Sequence, residues 1–287
     1  REKEAAGRSY GDLHGLLSLA TFSSGETGEP MIPCIFKYDE LIKATDNNET
    51  CGKGKEDRFS VKEQAEYDNK KMKCSNDGAC PPYRRLSLCN KNLENIKTNI
   101  IDNKQKLLAE VCMAAKYEGD SIKDYYKRYD AEYSSGSGFT LCTMLARSFA
   151  DIGDIVRGRD LYGGNKKKKR LEDNLKDIFK KIHSDVTKNG AEARYKDDGG
   201  DFFQLREDWW NANRAKVWEA ITCNAQGNTY FHATCSMNGS CSQATKQCRC
   251  GDGKSKAGKT SDNVSIVPTY FDYVPQYLRW FEEWAED

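Results

Sequence analysis

Ala146-Arg147-Ser148-Phe149-Ala150-Asp151-Ile152-Gly153-Asp154-Ile155-Val156-Arg157-Gly158 decides how this chain folds. Extended back to about Thr140, the stretch sets Leu141, Met144, Leu145, Phe149, Ile152 and Val156 at steps of three and four, the period of one helix face, and that face must be buried. Gly158 is its stop signal. Arg147 stands four residues from Asp151 and Asp154 three from Arg157, so the solvent side is expected to carry paired charges contributing about 0.2–0.5 kcal/mol each. On this reading Asp151 and Asp154 are solvated supports, not chemistry.

Working outward, Gly163-Gly164-Asn165 separates this helix from a second one, whose buried stripe is Leu171, Leu175, Ile178, Phe179, Ile182 and Val186. Upstream, Leu93, Ile96, Ile100, Leu107, Leu108, Val111 and Ala115 predict one long helix over 92–117 that ends at Gly119. Ser121 then reads as the N-cap of a short helix with Ile122, Tyr125, Tyr126 and Tyr129. Downstream, 202–223 is helical with Leu205, Trp209, Val217 and Ile221 in register, and 275–286 is a last amphipathic helix with Leu278, Phe281 and Trp284. Trp209, Trp218, Trp280 and Trp284 fit a core at this spacing; Trp210 lies off the main stripe. Tyr125, Tyr126, Tyr129 and Tyr133 stay open between core and contact surface. Nothing strand-like of comparable length occurs, so the expected fold class is all-α, a disulfide-braced helical bundle with long irregular loops. The expected divisions are an N-terminal segment laid on the domain (1–50), a loop-rich disulfide sub-domain with at most a short helix over 61–70 (51–90), the helical bundle (91–223) and the start of a third sub-domain (224–287). Within the first, Leu13, Leu16, Leu17, Leu19 and Phe22 are the available anchors.

Twelve cysteines in 287 residues, scattered rather than paired at metal-ligand spacings, favour an oxidised extracellular protein. Cys51, Cys74, Cys80 and Cys89 crowd a glycine- and lysine-rich loop region, where spacing alone leaves three connectivities open. Pairing Cys112 with Cys223 and Cys142 with Cys235 would tie the long central helices to the Trp209 helix and the loop after it. Cys34, Cys241, Cys248 and Cys250 remain unassigned. His232 with the neighbouring cysteines lacks two clean C-x-x-C knuckles, so no zinc and no other cofactor is expected. The same cysteines fall short of the six that an epidermal-growth-factor-like module needs. With His14, His183 and His232 as the only histidines and no glycine-rich phosphate loop, no catalytic constellation stands out, and His183 reads as a packing residue. Forty-five Lys and Arg against 44 Asp and Glu give a net charge of +1, which argues against a nucleic-acid binder; any polyanion site must be local. No apolar run is long enough to span a bilayer. No apolar leader follows Arg1, which leaves a removed signal, a piece of a larger chain or another export route open.

The local cations that do stand out are Lys166, Lys167, Lys168, Lys169 and Arg170, which open the second helix against its dipole. Continued by Lys176, Lys180 and Lys181 they predict a stripe about 20 Å long at 1.5 Å per residue, a footprint for a sulfated polysaccharide. A solvated helix start is the plainer reading. Arg84 and Arg85, after Pro81-Pro82, are a secondary basic candidate.

Three strings carry a resemblance: LARSFADIGDIVRGRDLYGGN (145–165), LREDWWNANRAKVWEAITC (205–223) and VPTYFDYVPQYLRWFEEWAED (267–287). They resemble signature blocks of the Duffy-binding-like domains of malaria parasite adhesins, the alpha class at the head of the variant erythrocyte membrane proteins above all. The resemblance implies the pairs Cys51–Cys89 and Cys74–Cys80, and a cut piece of a large protein on the infected erythrocyte surface. It also implies an adhesion module, not an enzyme, that binds host erythrocyte or endothelial receptors and glycans, such as heparan sulfate or blood-group sugars in rosetting, beside following domains of the same chain. The sequons at Asn48, Asn238 and Asn263 would stay bare in such a parasite. The alternative is a non-binding structural head that displays variable epitopes.

Overall fold

The computed structural model describes residues 13–20, 32–45, 50–51, 74, 80–133, 141–162, 166–188, 192–225, 235–237, 240–242, 247–250 and 267–286. The expected helix over 61–70, Phe22 and the three sequons lie outside them. In chain order the helices are α1 (Tyr38–Thr45), α2 (Tyr83–Leu86), α3 (Lys91–Glu94), α4 (Lys104–Tyr133), α5 (Leu141–Arg157), α6 (Lys166–Val186), α7 (Glu192–Tyr195), α8 (Phe203–Ile221) and α9 (Gln276–Glu286). Strands β1 (Cys235–Met237) and β2 (Ser240–Ser242) form one short antiparallel pair, with Ser236 opposite Cys241. The fold is therefore all-α and braced by disulfides.

Helices α4, α5 and α8 pack on one another and hold the core. Phe149 of α5 sits at their meeting point, with ring centroids 5.1 Å from Trp210 and 5.2 Å from Trp218. On the far side of α8, Trp209 meets Phe179 of α6 edge-on at 6.1 Å. Trp210 is thus fully core. The trio leaves no outer side to α5: all 17 of its residues are buried, including Asp151 and Asp154, so the expected solvent face does not exist. The charges of that face are instead met by side chains from α2, α8 and α9 and by the Asp272 carbonyl in the turn before α9. Gly158 ends α5 at φ +72°, and a Cβ there would lie 2.8 Å from the Arg206 guanidinium.

The helix expected over 92–117 is two. Asn103 restarts the chain as a cap, its Oδ1 accepting the amides of Gln105 and Lys106 at 3.1 and 3.0 Å, so α4 begins only at Lys104. It then runs through Gly119 and Ser121 without a stop. Gly119 serves packing, not termination: a Cβ there would stand 1.9 Å from the Ile221 carbonyl oxygen at the end of α8. Tyr125 is buried on this helix and Tyr126 half-buried; the side chains of Tyr129 and Tyr133 lie outside the described residues.

Disulfides join Cys51 to Cys89 and Cys74 to Cys80, the pairs that the resemblance implies. Two expected pairs are corrected. Cys223 bonds Cys34, across 5.4 Å between Cα atoms, and leaves Cys112 a buried free thiol inside the bundle. Cys142 bonds Cys248, not Cys235. The reason lies in how 247–250 is seated: Trp218 Nε1 donates to the Cys248 carbonyl at 3.0 Å, and Arg249 donates to Thr222 Oγ1 and the Glu219 carbonyl at 2.8 and 2.7 Å. That anchoring lays Cys248 over α5 and turns Arg249 towards Cys34, whose Sγ is 3.6 Å from its Nη2. Cys250 is also disulfide-bonded.

Ahead of Cys34, Leu13 and Leu17 are buried in the core cluster while Leu16 and Leu19 are exposed. Asn213 of α8, itself buried, holds this piece by its backbone. Its Nδ2 donates to the Leu13 carbonyl at 3.0 Å and its Oδ1 accepts the Gly15 amide at 2.7 Å. A Cβ on residue 15 would stand 2.7 Å from Leu108, so glycine fits the close approach.

Candidate functional site

Two basic candidates were legible, and the structure treats them differently. Arg84 and Arg85 are not presented to solvent. The single turn of α2 points both at α5, where they are 4% and 3% exposed, which removes them as a polyanion site. Arg84 Nη2 lies 2.7 Å from Asp151, its Nε 2.9 Å from Glu283, and its Nη1 donates to Ser148 Oγ at 2.9 Å. Arg85 pairs with Asp160 and stacks 4.8 Å from the Tyr162 ring centroid.

Arg84 opens a buried charge network that sequence periodicity did not reveal. Arg279 of α9 bridges two carboxylates of α5, 2.9 Å from Asp151 and 2.5 Å from Asp154, while Arg157 pairs with Asp154 at 2.9 Å. Beside them Asp272 takes Arg214 at 2.7 Å and the Trp210 Nε1–H at 2.9 Å. Burial alone would raise the Asp151 pKa, but Arg84, Arg279 and Arg85 outweigh it and hold the group below the usual carboxylate range. At Asp154 burial prevails over Arg279 and Arg157, and the pKa is pushed up to about 6. Each carboxylate here has an arginine partner, so the network fastens α2, α5 and α9 together. The signal available in the sequence was complementarity between blocks, with Arg84, Asp151, Arg279 and Glu283 far apart in the chain.

The stripe on α6 is partly spent on structure. Arg170 is exposed yet donates to the Glu94 carbonyl and Asn95 Oδ1 at 2.9 and 2.6 Å, and Lys181 donates to the Thr98 carbonyl. Lys176 pairs with Asp201 at 2.6 Å, and that hydrogen bond raises its pKa. Lys169 and Lys180 are exposed. They share their face with exposed Asp173 and Asp177. Lys166, Lys167 and Lys168 form the first turn, and their side chains lie outside the described residues. The helix period places 169, 176 and 180 in one line, as expected, but acidic neighbours interrupt it. His183 is half-buried between the rings of Tyr195 and Phe202, at 6.3 and 5.4 Å.

The described residues thus form a helical trio with a fully buried central helix, cross-linked by cystines and flanked by a helix that carries exposed lysines. Comparison with known proteins makes this specific. Residues 78–279 match the family model described as Duffy binding domain, and the chain belongs to that family. It is 26% identical over 223 residues to the Duffy receptor of Plasmodium vivax (strain Salvador I), a match covering 72% of this chain and 15% of that protein. Among solved structures it is similar to the NTS-DBL1(alpha-1) domain of the Plasmodium falciparum membrane protein 1 (PfEMP1) from the varO strain. That match has 32% identity and a TM-score of 0.64, and covers 98% of this chain and 59% of the other. It is also similar to the ICAM-1-binding PfEMP1 IT4var13 DBLbeta domain, with 26% identity and a TM-score of 0.70, covering 99% of this chain and 60% of that one. The chain thus spans about a sixth of the curated Duffy receptors and about three fifths of these solved domains.

Proposed function

We propose that this domain is an adhesion module, without catalytic chemistry, displayed outside the parasite on the infected erythrocyte, where it binds a host cell-surface receptor. Family membership over residues 78–279 carries the reading, and the relatives support it by name, one as a Duffy receptor and another as ICAM-1-binding. The cystine bracing fits an oxidising exterior. Among the described residues no helix is long and apolar enough to cross a membrane.

For the ligand class we propose sulfated host glycans of the heparan-sulfate type, held along α6 by Lys169 and Lys180 with Lys166, Lys167 and Lys168. Arg170, Lys176 and Lys181 stand at the margin, since each already has a partner. Such binding is charge to charge, so retention on heparin should fall steeply as salt rises and the Debye length shrinks to about 8 Å. The test is a Lys167→Glu, Lys168→Glu, Lys169→Glu variant compared with the parent by heparin chromatography and thermal melting. Loss of retention with an unchanged or slightly raised melting temperature supports the site, because fewer cations at a helix start relieve the dipole. Unchanged retention of a folded variant rejects it. A glycan array on the same protein separates adhesion from the alternative, a structural head that displays variable epitopes and binds nothing.

A further inference from the structure

Asn92 of α3 and Glu110 of α4 are both 0% exposed, and each keeps one side-chain oxygen without a hydrogen-bond partner. Asn92 Nδ2 uses both its hydrogens, donating to the Glu110 main-chain carbonyl at 2.8 Å and to Glu110 Oε2 at 2.7 Å. The atoms left over are Asn92 Oδ1 and Glu110 Oε1. An amide oxygen and an ionised carboxylate can only accept, so these two cannot satisfy one another, and a buried acceptor left unpaired is costly. The elements packed on α4 offer no cation to offset the charge. Lys91 and Glu94 of α3 pair with each other at 2.9 Å. Lys216 and Glu219, through which α8 acts on Cys112, pair at 3.2 Å. The buried charges of α5 are Arg147, Asp151, Asp154 and Arg157, those of α1 (Asp39, Glu40 and Lys43) are exposed, and His14, ahead of the turn at 17–19, meets Lys216 and Lys104. Among the described residues none of these acts on the Glu110 carboxyl, which answers to burial and to the Asn92 amide.

We propose that Glu110 in the folded protein is a carboxylic acid whose Oε1–H donates to Asn92 Oδ1, closing a ring of two hydrogen bonds that clasps α3 to α4 and opens when the proton leaves. One proton satisfies both leftover oxygens, and half of the ring, Nδ2–H to Oε2, is already in place. Burial agrees: it raises the Glu110 pKa to about 7, so the acid form prevails below neutrality and the clasp is lost above it. What the clasp holds gives it reach. Helix α3 is a single turn without a side-chain cap, so its neighbours keep it in place. The residues that follow are the dock for α6, where Arg170 donates to the Glu94 carbonyl, Asn174 to the Ile96 carbonyl and Lys181 to the Thr98 carbonyl. Loosening α3 therefore loosens Arg170 and Lys181, and the proton on Glu110 sets how firmly these two cations are held. No glycan enters this device, so it and the reading of α6 stand or fall separately.

The first test needs only the parent chain, with carbon-13 in its glutamate carboxyls so that the isotope shift separates them from Asp154. Infrared spectra should show a protonated glutamate C=O band at about pH 5.5 that is gone by about pH 8.5, above the range in which ordinary glutamates titrate. The second test uses Glu110→Gln, whose amide keeps a donor beside Asn92 at every pH. At about pH 8 hydrogen–deuterium exchange over 91–98 should be at least fivefold slower in this variant than in the parent, and Lys181 should be acetylated more slowly. At about pH 5.5 the two proteins should match. The infrared band should be missing from the variant. A parent without the band at about pH 5.5 overturns the proposal, since an ionised Glu110 bridged to Asn92 by a buried water would then account for both oxygens. Equal exchange over 91–98 in parent and folded variant at about pH 8 also overturns it, because the proton would then hold nothing in place.

Discussion

Asp151 Oδ1 and Arg279 Nη2 lie 2.9 Å apart with side chains 0% and 1% exposed, a contact that closes 128 residues of chain between α5 and α9. The same Nη2 reaches Asp154, and Arg279 Nη1 donates to the Val274 carbonyl at 2.6 Å. Removing one partner of a buried pair leaves the other charge without compensation, at a cost of about 3–5 kcal/mol. Arg279→Met should lower stability by that amount in urea unfolding. Arg279→Lys should recover only a minor part, because one ammonium cannot reach both carboxylates and the carbonyl. A loss below about 1 kcal/mol for Arg279→Met would show that the network is not structural.

Stability should have its maximum at mildly acidic pH. Asp151 is held below its ordinary range, so its contribution is present above about pH 4 and is lost on acidification. Glu110 goes the other way: burial outweighs the hydrogen bond from Asn92 and raises its pKa to about 7, as burial raises Asp154 to about 6. A raised acid contributes stability that is complete below its unfolded pKa and is lost as pH rises to the folded one, so the fold should weaken between about pH 4.5 and 7. Urea midpoints measured across pH 3 to 8 should fall on both sides, and Glu110→Gln should make the neutral limb shallower, leaving the part due to Asp154, without changing the acid limb.

Gly119→Ala is a test with opposed forces. Alanine gains about 1 kcal/mol of helix propensity over glycine inside α4. Its Cβ, however, would stand 1.9 Å from the backbone oxygen of Ile221, which has no side-chain freedom with which to yield. The clash should win, with a net loss of about 3 kcal/mol or more and a lower melting temperature.

Cys112 should be invisible to thiol reagents in the native protein and react once it is unfolded without reductant. It is fully buried, and burial pushes its thiol far above the ordinary range. Cys34→Ser should cost about 2–4 kcal/mol by releasing the 189-residue loop that Cys34–Cys223 closes. Failure of Cys112 to react in the unfolded, unreduced chain would refute the pairing of Cys34 with Cys223, because Cys112 would then itself be disulfide-bonded.

Apolar periodicity located α5, α6, α8 and α9 to within a residue or two, because spacing records which positions face inward. It could not say where the polar side of a helix points. Arg147, Asp151, Asp154 and Arg157 show the same i, i+3 and i, i+4 pattern whether they pair in water or meet Arg84 and Arg279 inside. For the same reason Leu278 and Phe281 read as core when Arg279 and Glu283 occupy that side. The cysteine partners depended on where 247–250 is seated, which Trp218 and Arg249 decide through main-chain and hydroxyl contacts that leave no spacing signal. The break before α4 was legible in principle, since Asn103 is a strong capping residue. The α6 lysines were found by charge alone, and their partners Asp201 and Thr98 come from elsewhere in the fold.

The grip of Asn213 on the Leu13 carbonyl and the Gly15 amide touches main-chain atoms only. The grip uses no atom of residue 16 or 19, so exposed Leu16 and Leu19 can be replaced while the segment stays docked. Asn213 therefore fastens this end of the chain whatever side chains stand at positions 16 and 19.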